Sequence, residues 1–172
     1  MALLQIITAP DSRLREVSKP VDVVDDTVRN LLNDMLETMY AAPGVGLSAI
    51  QVGFARRIVV IDTVKAPDPP DPVRMINPEI IWQADEISPF EEGCLSFPGQ
   101  YEEVERPGAV HVRYTDENSE VRTIKAEGLQ AIALQHELDH LDGVLLVDYL
   151  STIKRSIIMR RMKKLRRLKA PE

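Results

Sequence analysis

Two of the chain's three histidines stand four residues apart in the stretch LQHELDHLDG, Leu134 to Gly143, with Glu137 beside the first of them. On an α-helix His136 and His140 fall on one face about one turn apart, so both imidazoles can reach a single ion. The pattern is His-Glu-x-x-His. Its chemical logic is that two neutral imidazoles hold a Lewis-acidic cation while the neighbouring carboxylate takes a proton from an attacking water. The plainer reading is that one imidazole packs locally and the other faces solvent, since so short a pattern also arises by chance. Against it, the stretch is otherwise apolar, and burying two imidazoles and a carboxylate without a partner such as a metal is costly.

A cation that activates water usually keeps three protein ligands and one open position. The only cysteine, Cys94 in EEGCLSFPG, is the best candidate for the third. The glycine before it lets backbone approach closely and removes bulk beside the sulfur. A lone cysteine is also often just a small core residue. Two nitrogens and a thiolate form a soft set that favours zinc or ferrous iron over magnesium or calcium. A closed structural site would need a fourth ligand, and no second cysteine exists. His111 sits in an alternating strand pattern, where a surface or cross-strand role suits it better.

These residues need elements to carry them. Leu129, Ile132, Ala133, Leu138 and Leu141 predict a helix over 129–141 buried on more than one face and ended by Gly143. Upstream, TAPDSRLREVSKPV reads as an irregular lead-in. Asp25, Asp26 or Thr27 then caps a helix with Val28, Leu31, Leu32, Met35 and Met39 at helical spacing, stopped by Pro43 and Gly44. RIVVID has strand length and β-branched character, and residues 63–72, TVKAPDPPDP, form a surface loop. AVHVRYT and EVRTIKAE alternate around DENS as a hairpin. A last helix runs from about residue 151 to 169. The outline is helix, antiparallel strands, buried helix, the end of the strands, basic helix. This is an α+β fold with antiparallel or mixed sheets around a central helix that carries His-Glu-x-x-His.

At 172 residues, 44 % hydrophobic and 28 % charged, the chain fits one globular domain over 1–172. No apolar run is long enough to span a bilayer and the start lacks a signal-peptide pattern, so the expectation is a cytoplasmic protein with no membrane contact. The lone cysteine suits a reducing compartment. Of 21 basic and 27 acidic residues, nine basic and one acidic fall within residues 154–172. An acidic body thus carries a basic tail, with Ile157, Ile158, Met162, Leu165 and Leu168 at roughly helical spacing. That is a solvated face offsetting the body, or a surface for a polyanion.

Together GVGLSAIQ, EGCLS and QHELDHL, in this order and at these separations, resemble the peptide deformylases. The resemblance extends to PDSRLR, INPEI, VERP and GVLLVDYLS, nearly the whole length. It implies hydrolysis of the N-formyl group of the N-terminal formyl-methionine on nascent peptides, releasing formate. It also implies one divalent metal ion per chain held by Cys94, His136 and His140, with Fe2+ native and Zn2+ or Ni2+ able to substitute. Glu137 would be the general base, and Gln51 with the backbone N–H of Leu95 would stabilise the oxyanion. Gly46 would pair with an extended peptide, and Val45, Phe90, Leu129, Ile132 and Ala133 would line the methionine pocket. The work on nascent chains suggests that the tail meets ribosomal RNA, with no role for DNA. Two residues depart from the family's pattern: Ser48 replaces the usual alanine, and Tyr101 falls where some members have an arginine. Two other readings of the same residues are a metallo-endopeptidase using the His-Glu-x-x-His helix and a non-catalytic, metal-stabilised module that binds RNA through its tail.

Overall fold

The computed structural model describes residues 2–169. After an N-terminal lead-in containing one 3-10 turn, Ser12–Arg15, helix α1 spans Asp26–Ala41. Asp25 is its cap, the carboxylate accepting from the Val28 N–H at 3.0 Å. Strands β1 (Gly46–Ser48), β2 (Ile58–Ile61), β3 (Val73–Gln83), β4 (Ile87–Cys94), β5 (Phe97–Pro107), β6 (Ala109–Thr115) and β7 (Val121–Glu127) follow, then α2 (Gly128–Leu141) and α3 (Thr152–Lys169). Five strands form one antiparallel sheet in the order β1-β2-β3-β6-β7, and β4 pairs with β5 in a separate two-stranded sheet.

The run IVVI explains the layering. Ile58 and Val60 pack into the cluster built by α1 through Val28, Leu32, Met35 and Met39. Val59 and Ile61 turn the other way, joining Ala131, Leu134, Leu138 and Leu141 of α2. Strand β2 is therefore covered on both faces, which is why it reads as an unbroken apolar run rather than an alternating one. The helix bearing the two histidines lies on one side of the sheet and α1 on the other.

A third cluster joins the lead-in (Ile7, Leu14), Phe97 of β5, Val147 and two residues of α3, Ile158 and Met162. The buried stripe of α3 is thus Ile158 and Met162, with Met159 and Leu165 partly covered; Ile157 and Leu168 of the expected set are exposed. After α2 the chain makes a 3-10 turn, Leu146–Tyr149, instead of ending the strands. Among the described residues no helix is long and apolar enough to cross a membrane.

Candidate metal centre

Helix α2 starts at Gly128, whose φ of +60° lets the chain leave β7 and turn at once into the helix. Its apolar residues face the large sheet, which aims His136, Glu137 and His140 at the β4–β5 hairpin. The hairpin meets them with a defect in its pairing: Gly93 lies opposite Tyr101, yet the next residue, Cys94, pairs with Phe97. The bulged segment Pro98–Gln100 absorbs the difference and re-aims the sulfur. Leu95 and Ser96 form the turn.

The three donor atoms converge. Cys94 Sγ lies 3.3 Å from His140 Nε2, which lies 3.2 Å from His136 Nε2, and all the donor atoms fall within 4.8 Å of one another. Both histidines are buried. His136 Nδ1 meets Glu92 Oε1 at 3.1 Å, a contact that leaves Nε2 to face the sulfur. Glu92 is gripped by Arg106 through two bonds of 2.5 and 3.0 Å, both side chains only 4 % exposed. Arg106 also donates to Asp139 at 2.9 Å and lies over the ring of Tyr149, whose hydroxyl donates to Asp139 at 2.6 Å.

The electrostatics set the two histidines apart: burial, with the charges of His136 and Arg106, holds His140 well below its usual pKa. Burial works against a charged His136, but the Cys94 sulfur and Glu92 outweigh it and hold that imidazole well above its usual pKa. For Glu92, burial is likewise outweighed, here by hydrogen bonds from His136 and Arg106, and its carboxyl sits below the ordinary value. Burial, with His136 partly opposing, pushes Glu137 up to about 7. Its Oε2 and His140 Nδ1 are buried atoms without a hydrogen-bond partner among the described residues. A soft three-donor set ringed by acidic groups fits a divalent first-row cation such as zinc or iron.

A cavity of about 460 Å³ opens onto this cluster. Its walls include Val45, Gly46, Leu95, Leu129, Ile132 and Ala133, together with Cys94, His136 and Glu137. Phe90 is not among them: it is half-buried opposite Val104, four residues up β4 from Cys94, about 13 Å along an extended strand. His140 and Gln51 stand behind the walls, and Gln51 Nε2 lies 3.7 Å from Cys94 Sγ. A Cβ at Gly46 would sit 2.8 Å from Glu137 Oε1, so a side chain there fits only if Glu137 is displaced. Tyr101 lies against Gly93 at the rim and also lines the cavity. His111 stacks on Trp82 with ring centroids 4.5 Å apart, away from the centre.

Glu92, Arg106, Asp139 and Tyr149 were not evident as site residues. Their only signal is a glutamate pair just before the cysteine and an aspartate inside the histidine pattern, neither of which names its partner.

Fold and site together are those of a metal-dependent hydrolase, with a thiol standing beside the two imidazoles of the His-Glu-x-x-His helix where the three could hold an ion. The family model for polypeptide deformylase matches residues 3–156, and the chain belongs to that family. The peptide deformylase of Mesorhizobium japonicum is 50 % identical over 171 residues, covering 99 % of this chain and 97 % of its own. Peptide deformylase 1 of Burkholderia multivorans is 53 % identical over 167 residues, covering 97 % and 91 %. The crystal structure of the Ehrlichia chaffeensis peptide deformylase superposes with a TM-score of 0.93 at 40 % identity, covering 97 % of this chain and 98 % of that one. A structure of the same enzyme in complex with actinonin gives 0.92 at 41 % identity, covering 96 % and 98 %. This protein is accordingly a peptide deformylase, a hydrolase that removes the N-formyl group from newly made polypeptides.

Proposed function

We propose that the reaction is carried by Glu137 acting over a cation held by Cys94, His136 and His140, with Fe2+ as the native ion and Zn2+ or Ni2+ able to replace it. When bound, the ion supplies Lewis acidity that makes water acidic enough to deprotonate near neutral pH and polarises the formyl oxygen. The carboxylate of Glu137 takes the proton from the attacking water and returns it to the leaving amine as the formyl C–N bond breaks, giving formate and a free N-terminus. Gln51 Nε2 and the Leu95 N–H stabilise the charge developing on the formyl oxygen. The apolar wall of Val45, Leu129, Ile132 and Ala133 takes the methionine side chain, and Gly46 lets the peptide backbone approach as an added strand.

One observation carries this reading. Glu137 is buried and has an oxygen without a hydrogen-bond partner among the described residues, in a cavity wall beside three converging donors. A carboxylate placed only for stability would be paired. Release of formate from formyl-Met peptides without internal cleavage tests the assignment against an endopeptidase. Anaerobic purification with metal analysis tests the ion: iron-loaded enzyme should lose activity in air while nickel-loaded enzyme keeps it.

The whole chain 1–172 then works as one catalytic domain in the cytoplasm. The exposed basic residues of α3, among them Lys163, Lys164, Arg166 and Arg167, meet ribosomal RNA. Since Ile158 and Met162 pack into the body, charge reversal at these four positions tests that contact better than truncation. It should weaken ribosome binding in a salt-dependent way and leave turnover of a short formyl peptide unchanged. Unaltered ribosome binding would remove the assignment.

A further inference from the structure

The carboxamide of Gln51 touches the centre through one end only. The two ends of an amide are alike in shape and opposite in hydrogen bonding, so the end facing Cys94 decides whether the group offers a donor or an acceptor. Here Oε1 accepts twice from one residue, from the Ser48 N–H at 3.0 Å and the Ser48 hydroxyl at 2.9 Å. Nε2 donates to Ser96 Oγ at 3.1 Å and faces Cys94 Sγ at 3.7 Å. The Ser96 hydroxyl donates onward to the Ile7 carbonyl at 2.7 Å, so it meets Gln51 as an acceptor. Ser48, Gln51 and Ser96 are all essentially inaccessible to solvent.

The chain of bonds therefore runs in one direction, from Ser48 through Gln51 and Ser96 to the backbone of the lead-in. Turning the carboxamide over would set its NH2 group against the Ser48 N–H and its oxygen against a serine oxygen whose proton is committed to Ile7. Buried polar groups left so mismatched lose their hydrogen bonds with no water to replace them, which disfavours the turned orientation. We infer that Ser48 and Ser96 are positioning residues that lock the Gln51 carboxamide with its N–H towards the reacting centre. Ser48 carries most of this lock, because its hydroxyl adds a second donor to the one supplied by its own backbone. This inference rests on the reading of Gln51 as the oxyanion donor.

The test is a double-mutant cycle on metal-loaded enzyme, with kcat and KM measured on a short formyl-Met peptide and the thiolate-to-metal absorption band recorded on cobalt-loaded samples. Ser48→Ala should lower kcat about 3- to 10-fold, leave KM within about twofold and shift the cobalt band, whereas Ser48→Thr should restore kcat. In a Gln51→Ala background the same Ser48→Ala change should have no further effect on either readout. If Gln51→Ala is strongly impaired while Ser48→Ala matches the parent in kcat and band, or if the two losses add, the positioning role is overturned and the reading of Gln51 survives. If Gln51→Ala itself retains the parent kcat, both fall.

Discussion

Replacing Arg106 by Met keeps an unbranched apolar stem in the site and removes the guanidinium that holds Glu92. The guanidinium makes two bonds to Glu92 and one to Asp139 within a region where both Arg106 and Glu92 are 4 % exposed. After the substitution Asp139 still has the Tyr149 hydroxyl, but Glu92 is left as a buried carboxylate whose remaining contact is His136 Nδ1. Breaking a buried pair from one side costs about 3–5 kcal/mol, far more than an exposed pair contributes. For a chain of this size that is a fall in Tm of roughly 6–20 °C, at about 2–4 °C per kcal/mol. The loosened Glu92 no longer fixes the His136 ring, so affinity for the metal should drop about 10- to 100-fold. Chemical denaturation and chelator competition on the parent, Arg106→Met, Glu92→Gln and the double variant read both quantities. The double variant should be less destabilised than the sum of the singles. A loss below about 1 kcal/mol for Arg106→Met, or plain additivity, would refute the argument that Arg106 acts through a buried Glu92.

Glu137→Ala should keep the fold and bind metal, be at least as stable as the parent because an unpaired buried carboxylate is removed, and lose at least about 10²-fold in kcat; metal content, Tm and formate release decide it. Gly46→Ala should reduce turnover by a similar factor, since its Cβ would meet Glu137 Oε1 at 2.8 Å, with Tm little changed as the carboxylate swings away. Gly143→Ala should act on stability alone, costing about 1–3 kcal/mol by denaturation with kcat retained, because it combines a φ of +73° with a Cβ 2.5 Å from the Arg15 carbonyl oxygen. Burial raises the carboxyl of Asp148, but the Arg15 guanidinium outweighs it and lowers the pKa. A lowered carboxyl contributes stability above its unfolded pKa of about 3.9 and loses it as pH falls through the folded value. Asp148→Asn should therefore flatten the acid limb of a stability profile below about pH 4.

Local signals explain what could be read from the sequence. Helices α1 and α2, the β6–β7 hairpin and the convergence of Cys94 with the two histidines follow from periodicity, from turn residues and from donor chemistry. The two-stranded sheet β4–β5 escaped because its Pro, Gly and Glu residues break any alternation, and its bulge appears only when both strands are aligned. The Glu92–Arg106–Asp139 linkage joins residues 14 and 33 positions apart, a separation that no window of local pattern covers. The resemblance assigns Phe90 to the methionine pocket, but along a strand each residue advances the chain by about 3.3 Å, so a residue four positions before the cysteine lies beyond the cavity's lining. The apolar stripe of α3 was shifted because a tail rich in Lys and Arg offers several faces of similar hydrophobicity, and packing against Phe97 and Leu14 selects among them.

The donors also belong to different parts of the molecule. His136 and His140 ride on the helix packed against the large sheet, while Cys94 ends a strand of the small hairpin, whose neighbour Phe97 packs with the lead-in and α3. A cation shared by the three would act as a rivet between two separately built bodies. Stripping it should leave α2 protected on the sheet and let the hairpin open first in amide exchange, carrying the cavity's far wall with it. In that sense an ion that serves the chemistry would also set the stiffness of the cleft, with the basic helix packed behind Phe97 as its counter-support.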